Sequence, residues 1–461
     1  MSSDQILYDC IQDLLKKSIE LLSDKLNCFK ELNEKFEQLP IEYPAILYTD
    51  ENQIKKYLFI KDYVKRLILI IEESLKDDIE SCIRIIQLYH KTSTQLSHGK
   101  IVMNMLQNQV DSKNFLFHIL EAMIIDYLRC NKINTPKLKS LCDDMKKFFY
   151  DDEIEITILS PLQGFESPES DELYISKSIS IRKISMEEKI FLFDKNISDE
   201  FLPYNTNWIL QYKIKVRKDI ENDAYFRLVD SKLTDNIFAT VITALRLFQF
   251  GDFGTNSFVG FVSLDVPINL VNISNLKIMG FGSAPFGRYI FYKKNLPEFI
   301  RFLNQYDSLL SKILNHRIEG KEDSFIQIKN AIRRFNLSYQ RYNESDVIID
   351  KLIALESLLS KKDENELMTF RLSLRAAKLL KSTIGERKDC YKDIKEIYNI
   401  RSKIVHGDLE GHYHGKNARI IGMNLITTHA IVSSIILSYM DHLNNNDDFN
   451  HLDLIERLDF E

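Results

Sequence analysis

Apolar residues recur at helical spacing over most of the chain and at strand spacing in one stretch near its middle. In "IQDLLKKSIELLSDKLNCFKELNEKF", Ile11, Leu14, Leu15, Ile19, Leu22, Leu26 and Phe29 fall on one face of a 3.6-residue period. Pro40 and Pro44 interrupt that period. "YLFIKDYVKRLILIIEESL", "IESCIRIIQLYH" and "NFLFHILEAMIIDYLRC" resume it, so residues 1–149 read as a helical N-terminal region.

From residue 150 the spacing changes. "EIEITILSPL", "LYISKSISIRKI" and "WILQYKIKVRK" alternate apolar and polar positions, the signal of half-buried strands. A helical stretch, "NIFATVITALRLFQF", leads into a turn, "GDFG", and two further strand-like runs, "SFVGFVSLDVPI" and "GRYIFYKK". Residues 150–296 are therefore predicted to form a mixed, β-rich domain. "GFGSAPFGR" has three glycines but no Lys-Ser/Thr after it and no βαβ context, so it reads as a turn rather than a phosphate loop.

Helical spacing returns at 297. About six apolar-periodic segments with short turns follow, from "LPEFIRFLNQYDSLLSKILNH" to residues 420–443, the pattern of a helical bundle over 297–461. The fold class predicted is α+β, mostly helical. Residues 420–440 carry no Asp, Glu, Lys or Arg and are about long enough to span a bilayer. Their Asn, His, two Thr and three Ser favour a buried bundle helix, and no membrane partner is expected. The final stretch from Asp441 holds seven acids against one Arg and reads as a solvated acidic tail able to cap a basic surface.

Composition narrows the function classes. At 461 residues the chain has room for about two to four domains. The net charge of −6 argues against a protein that coats nucleic acid nonspecifically, so any such contact must use a local patch. None of the six cysteines forms a CxxC pair, which reads as reduced thiols of a cytoplasmic protein. The start, "MSSDQILYDCIQDLLKK", has the pattern of a helix and not of a signal peptide.

The candidate chemistry lies in "YNIRSKIVHGDLEGHYHG", residues 398–415. Gly407 sits where a helix C′ glycine belongs, which places His406 in a last turn, where the helix dipole favours a protonated imidazole. On an ideal helix Arg401 and His406 are about 140° apart, so a bent last turn or a second copy of the helix is needed to bring them together. Residues 371–406 carry ten Lys or Arg against four acids. This is either a solvated helical face or a phosphate-attracting cleft. His406, Asp408, His412 and His414 are either divalent-metal ligands or incidental members of a Gly-rich loop. Glu356 and Arg375, polar residues in apolar helical stretches, form either a buried ion pair or a support for Arg401.

The blocks "AIRRFNLSYQR", "DVIIDKLIALESLLS", "LSLRAAKLL" and "IYNIRSKIVHG", in that order, resemble the Apea-like branch of the HEPN superfamily, with the resemblance covering roughly residues 235–440. It implies a metal-independent endoribonuclease of the antiviral (abortive infection) or toxin–antitoxin kind, dimeric or larger through its bundle. It would need no cofactor, act on RNA, and answer to a regulatory partner or phage-derived trigger. The superfamily motif, an Arg followed after four to six residues by His, maps onto Arg401 and His406 as the catalytic pair. Ser402, Lys403, Glu356, Arg375, Tyr398 and His414 stand as substrate-binding or supporting residues. Ser402 departs from the Asn, Asp or His common after that Arg. The alternative implied is a catalytically inactive HEPN module that binds RNA or a partner protein.

Overall fold

A computed structural model of the chain describes residues 3–26, 63–94, 112–130, 132–150, 153–185, 188–189, 207–217, 231–255, 257–261, 274–275, 288–314, 322–361, 364, 367–406, 416–446 and 449–460. The architecture is α+β and mostly helical. Helices α1 (Ser3–Leu21), α2 (Lys76–Thr94), α3 (Ser112–Cys130) and α4 (Thr135–Tyr150) pack on one another. The apolar stripe anticipated on α1 is the buried one: Ile11, Leu14 and Leu15 are sealed from solvent. Cys10 and Cys82 join α1 to α2 in a disulfide, their Cα atoms 6.0 Å apart, which corrects the expectation of reduced thiols at these two positions. Helical packing had brought two residues 72 apart in sequence within bridging distance. Cysteine usage therefore no longer argues for a reducing compartment.

The strand readings at "EIEITILSPL", "LYISKSISIRKI" and "WILQYKIKVRK" became β1 (Glu153–Leu162), β3 (Glu172–Tyr174), β4 (Ile179–Lys183) and β5 (Trp208–Arg217). With β6 (Ser257–Phe261) and β7 (Ser274–Asn275) they form an antiparallel sheet in the order β3-β4-β5-β1-β6-β7. A short parallel pair joins β2 (Phe165–Glu166) to β8 (Tyr289–Ile290). Most of "GFGSAPFGR" and the later part of "SFVGFVSLDVPI" lie outside the described residues.

Helix α5 (Ser231–Phe248) arises in the β-rich stretch but packs along α6 (Leu296–Leu314) and reaches α11 (Lys416–Asn445). The junction is aromatic. Phe165, Trp208, Phe253, Tyr289 and Phe291 pack ring on ring, and Phe248 carries the cluster to Phe299 and Phe302 of α6. Gly251 is required there: its φ of +151° and a Tyr289 Cα that would stand 2.8 Å from an added Cβ exclude any side chain. Buried Arg246 ties the turn to the bundle, donating to the Phe253 carbonyl at 2.9 Å and to Asn336 Oδ1 at 3.0 Å.

The bundle continues through α7 (Glu322–Ser338), α8 (Glu344–Leu359), α9 (Met368–Leu380), α10 (Ile384–Val405), α11 and α12 (His451–Phe460). Residues 420–440 lie inside α11 and pack against α8, and no described helix is long and apolar enough to cross a membrane. The acidic stretch after Asp441 is not a solvated tail. It folds as α12, buries His451, Leu454, Ile455 and Leu458, and presents Asp459 to Arg375 and Lys361. Its apolar residues recur at helical spacing, and that face outweighed its charge.

Lys351 of α8 is 1% exposed. Its Nζ lies 3.3 Å from His429 Nδ1 and within 6.0 Å of the Phe250, Phe335 and Tyr339 rings. Burial lowers its pKa from 10.5 to about 7, with Asp252 opposing the shift and Arg246 adding to it. Between pH 7 and 10.5 the unfolded chain holds a proton that the folded one has released, so stability rises with pH across that window. Below pH 7 the folded state carries the buried charge. Lys351→Met should flatten this dependence by removing the group that titrates differently in the two states. Melting curves of parent and variant against pH read this directly. An unchanged slope between pH 7 and 10 would show that Lys351 does not titrate in that window.

Candidate functional site

The candidate site is built on α10. Thr383 starts the helix as its N-cap: its Oγ1 accepts the Glu386 N–H at 3.3 Å and donates to Glu386 Oε2 at 2.7 Å. Cys390, Ile394, Ile397, Tyr398 and Ile400 form the buried stripe. The helix ends at Val405. His406 is its C-cap, at φ −86° and ψ 0°, with its N–H directed to the Ser402 and Ile404 carbonyls. His406, Ser402 and Lys403 are exposed.

Arg401 is turned the other way. Tyr398 and Arg401, three residues apart, share a helix side and meet Glu356 of α8. The Tyr398 hydroxyl donates to Glu356 Oε1 at 3.3 Å, and Arg401 Nη1 lies 3.6 Å from the same oxygen. The Arg401 side chain is 34% exposed and that of Glu356 18%. Burial raises the Glu356 pKa from its ordinary value, while Arg401 and the Tyr398 hydroxyl pull it back. Burial and the Glu356 charge push the Tyr398 hydroxyl well above 10.0. Arg401 Nε is buried with no hydrogen-bond partner among the described residues. Three of the sequence-selected residues, Glu356, Tyr398 and Arg401, thus converge, while Ser402, Lys403 and His406 occupy the outer side of the same helix end. The opposite facing of Arg401 and His406 agrees with the angular offset of an ideal helix.

Arg375 stands elsewhere, and the ion pair with Glu356 is not formed. Its fully buried guanidinium donates to Glu364 Oε2 at 2.6 Å, to Asp459 Oδ1 at 2.7 Å and to the Leu359 carbonyl at 2.8 Å. Helical spacing cannot show that Glu364, just beyond α8, and Asp459, 84 residues away, close on the same group. The hydrogen bonds from Arg375 hold Glu364 down at about 2.

The basic excess of residues 371–406 is partly consumed inside the fold. Arg375 is buried and Arg371 pairs with Glu364 at 2.5 Å. Along α10, exposed Lys388, Lys392, Lys395 and Lys403 are interspersed with exposed Glu386, Asp389, Asp393 and Glu396. The face is mixed, which favours the solvated reading for most of its length. Asp408, His412 and His414 lie outside the described residues, and among the described ones no three His, Cys, Asp or Glu gather as metal ligands. No protein-family model matches the chain, and neither a curated protein nor a solved structure matches it.

Proposed function

We propose that the chain is a metal-independent endoribonuclease of the HEPN type, acting as an antiviral or toxin–antitoxin effector. The observation that carries this reading is the end of α10: an exposed His406 at the C-cap and, five residues earlier, an Arg401 held by Glu356 and Tyr398. His406 takes the proton of a ribose 2′-OH as that oxygen attacks the adjacent phosphorus. Arg401 stabilises the charge that builds on the phosphorane oxygens. The P–O5′ bond breaks as the leaving 5′ oxygen takes a proton from solvent water, His406 returns its proton to solvent, and the products are a 2′,3′-cyclic phosphate and a 5′-OH. Glu356 acts through Arg401 as a positioning residue. Because Arg401 and His406 face apart on one helix, a homodimer through the bundle supplies the second copy that a shared cleft needs.

A second reading, a silent module that binds RNA or a partner protein, is favoured by Ser402 and by the acids that interrupt the basic face of α10. Purified protein incubated with total RNA and tRNA in EDTA decides between them. The expected result is cleavage that persists under chelation and leaves 2′,3′-cyclic phosphate ends. RNA retained but uncut supports the silent module. Activity lost in EDTA and restored by Zn²⁺ or Mn²⁺ transfers the chemistry to His406, Asp408, His412 and His414 as metal ligands.

A further inference from the structure

The exposed face of α10 carries both charges, but the helix sorts them around its axis. At about 100° per residue, Lys388, Lys395, Ser402 and His406 fall within a sector of about 40°. Glu386, Asp389, Asp393 and Glu396 begin about 80° to one side of Lys388 and occupy a sector of their own. Neighbours on a helix surface stand three or four positions apart. Those of Lys388 are Ile384, Gly385, Tyr391 and Lys392, and none is an acid. Those of Lys395 are Tyr391, Lys392, Tyr398 and Asn399, again without an acid. Lys392 stands nearer the acidic sector and pairs with Asp389 at 3.3 Å. Lys388 and Lys395 are exposed, and neither has a carboxylate partner among the described residues.

On the side of these two lysines away from the acids lies an aromatic pair. Tyr391, between Lys388 and Lys395 on the helix, meets Phe370 of α9 edge-on, the ring centroids 6.0 Å apart. Phe370 is 50% exposed, and Leu367, one turn before it, is 70% exposed. A single exposed apolar residue is ordinary. Here an open ring adjoins two unpaired ammonium groups. That is the combination by which proteins hold a single nucleic-acid strand, with cations along the phosphates and rings against the bases.

We propose that this corner of α9 and α10 docks a single RNA strand, its phosphates on Lys388 and Lys395 and a base stacked on Phe370, with the strand led along α10 toward His406. The inference rests on the RNA reading of α10 and deepens it. It commits to an unpaired strand, because the bases of a duplex are stacked on one another and cannot lie on Phe370. An acidic protein segment would use the lysines and leave the ring idle.

The test is fluorescence anisotropy with the full-length protein and labelled 2′-O-methyl RNA, which lacks the attacking hydroxyl and is not consumed. The probes are a single strand of about 12 nucleotides, the duplex of the same sequence, and a poly-glutamate peptide of equal charge. Saturable binding of the single strand is expected, with duplex and peptide weaker. Phe370→Ala should weaken it by about tenfold, the loss of one stacked base. Lys388→Ala and Lys395→Ala should each lower the slope of log affinity against log salt by about 0.7. All three side chains are exposed, and a thermal melt checks that each variant folds. Unchanged affinity in Phe370→Ala and in the doubly substituted lysine variant overturns the proposal. So does equal binding of the duplex or the peptide, or no binding up to about 1 mM. Cleavage of unmodified tRNA, measured in parallel, separates the two readings. Binding as expected without cleavage supports the docking surface and sinks the nuclease. Cleavage that the variants leave unchanged sinks the docking surface alone.

Discussion

Replacing His406 with Ala is expected to lower RNA cleavage by a factor of about 10²–10⁴ while leaving the melting temperature within error of the parent protein. The first half follows from the proposed role, in which the imidazole takes the 2′-OH proton. The second half follows from position. His406 is an exposed C-cap whose backbone N–H is directed to the Ser402 and Ile404 carbonyls, and Ala keeps that N–H. The measurement is single-turnover cleavage of tRNA alongside a thermal melt. Undiminished cleavage by cleanly purified His406→Ala protein would remove His406 from the chemistry. Arg401→Ala should fall by a similar factor through loss of phosphorane stabilisation. Mixing the two variant chains extends the test. If the cleft is composite, mixed dimers regain part of the activity that neither variant has alone.

Arg375→Met is expected to destabilise the bundle by about 3–5 kcal/mol, the cost of removing one partner from a buried charge network. Glu364 and Asp459 would lose their shared cation, and the Leu359 carbonyl a donor. A folded domain typically has about 5–15 kcal/mol in total, so the loss should be visible as a large drop in urea midpoint. Asp459→Asn should cost less, since the Asp459 side chain is 25% exposed and retains water. The sign of the pH dependence follows from Glu364, whose folded pKa of about 2 lies below the ordinary 4.5. Its contribution is fully present above pH 4.5 and is lost as pH falls through about 2, so the gap between parent and variant should narrow on acidification. A loss below about 1 kcal/mol at neutral pH, the scale of an exposed pair, would show that the network is not the clamp its burial indicates.

Local periodicity carried the elements a long way. The helices of the N-terminal region, the alternating strands from 153 to 217 and the bundle helices from 296 onward follow from which residues recur at 3.6 or 2 positions, because each face must be covered by something apolar. The helix end at His406 was legible for the same local reason, through Gly407 and the preceding basic turn. Even the facing of Arg401 away from His406 follows from helix geometry alone.

Charge pairing was not legible. Glu356 and Arg375 read as partners because both are polar positions in apolar helices, yet each found a different one: Glu356 met Tyr398 and Arg401, and Arg375 met Glu364 and Asp459. The acidic end of the chain read as solvated because composition counts charges without seeing which face they occupy. The disulfide between Cys10 and Cys82 was hidden likewise. By itself the sequence determined which segments are helices and strands and where α10 stops, since these depend on neighbours within a few positions. Only the tertiary structure decided which carboxylate answers which guanidinium and which thiols meet, since those contacts join residues tens of positions apart, 84 for Arg375 and Asp459, and depend on how whole elements pack.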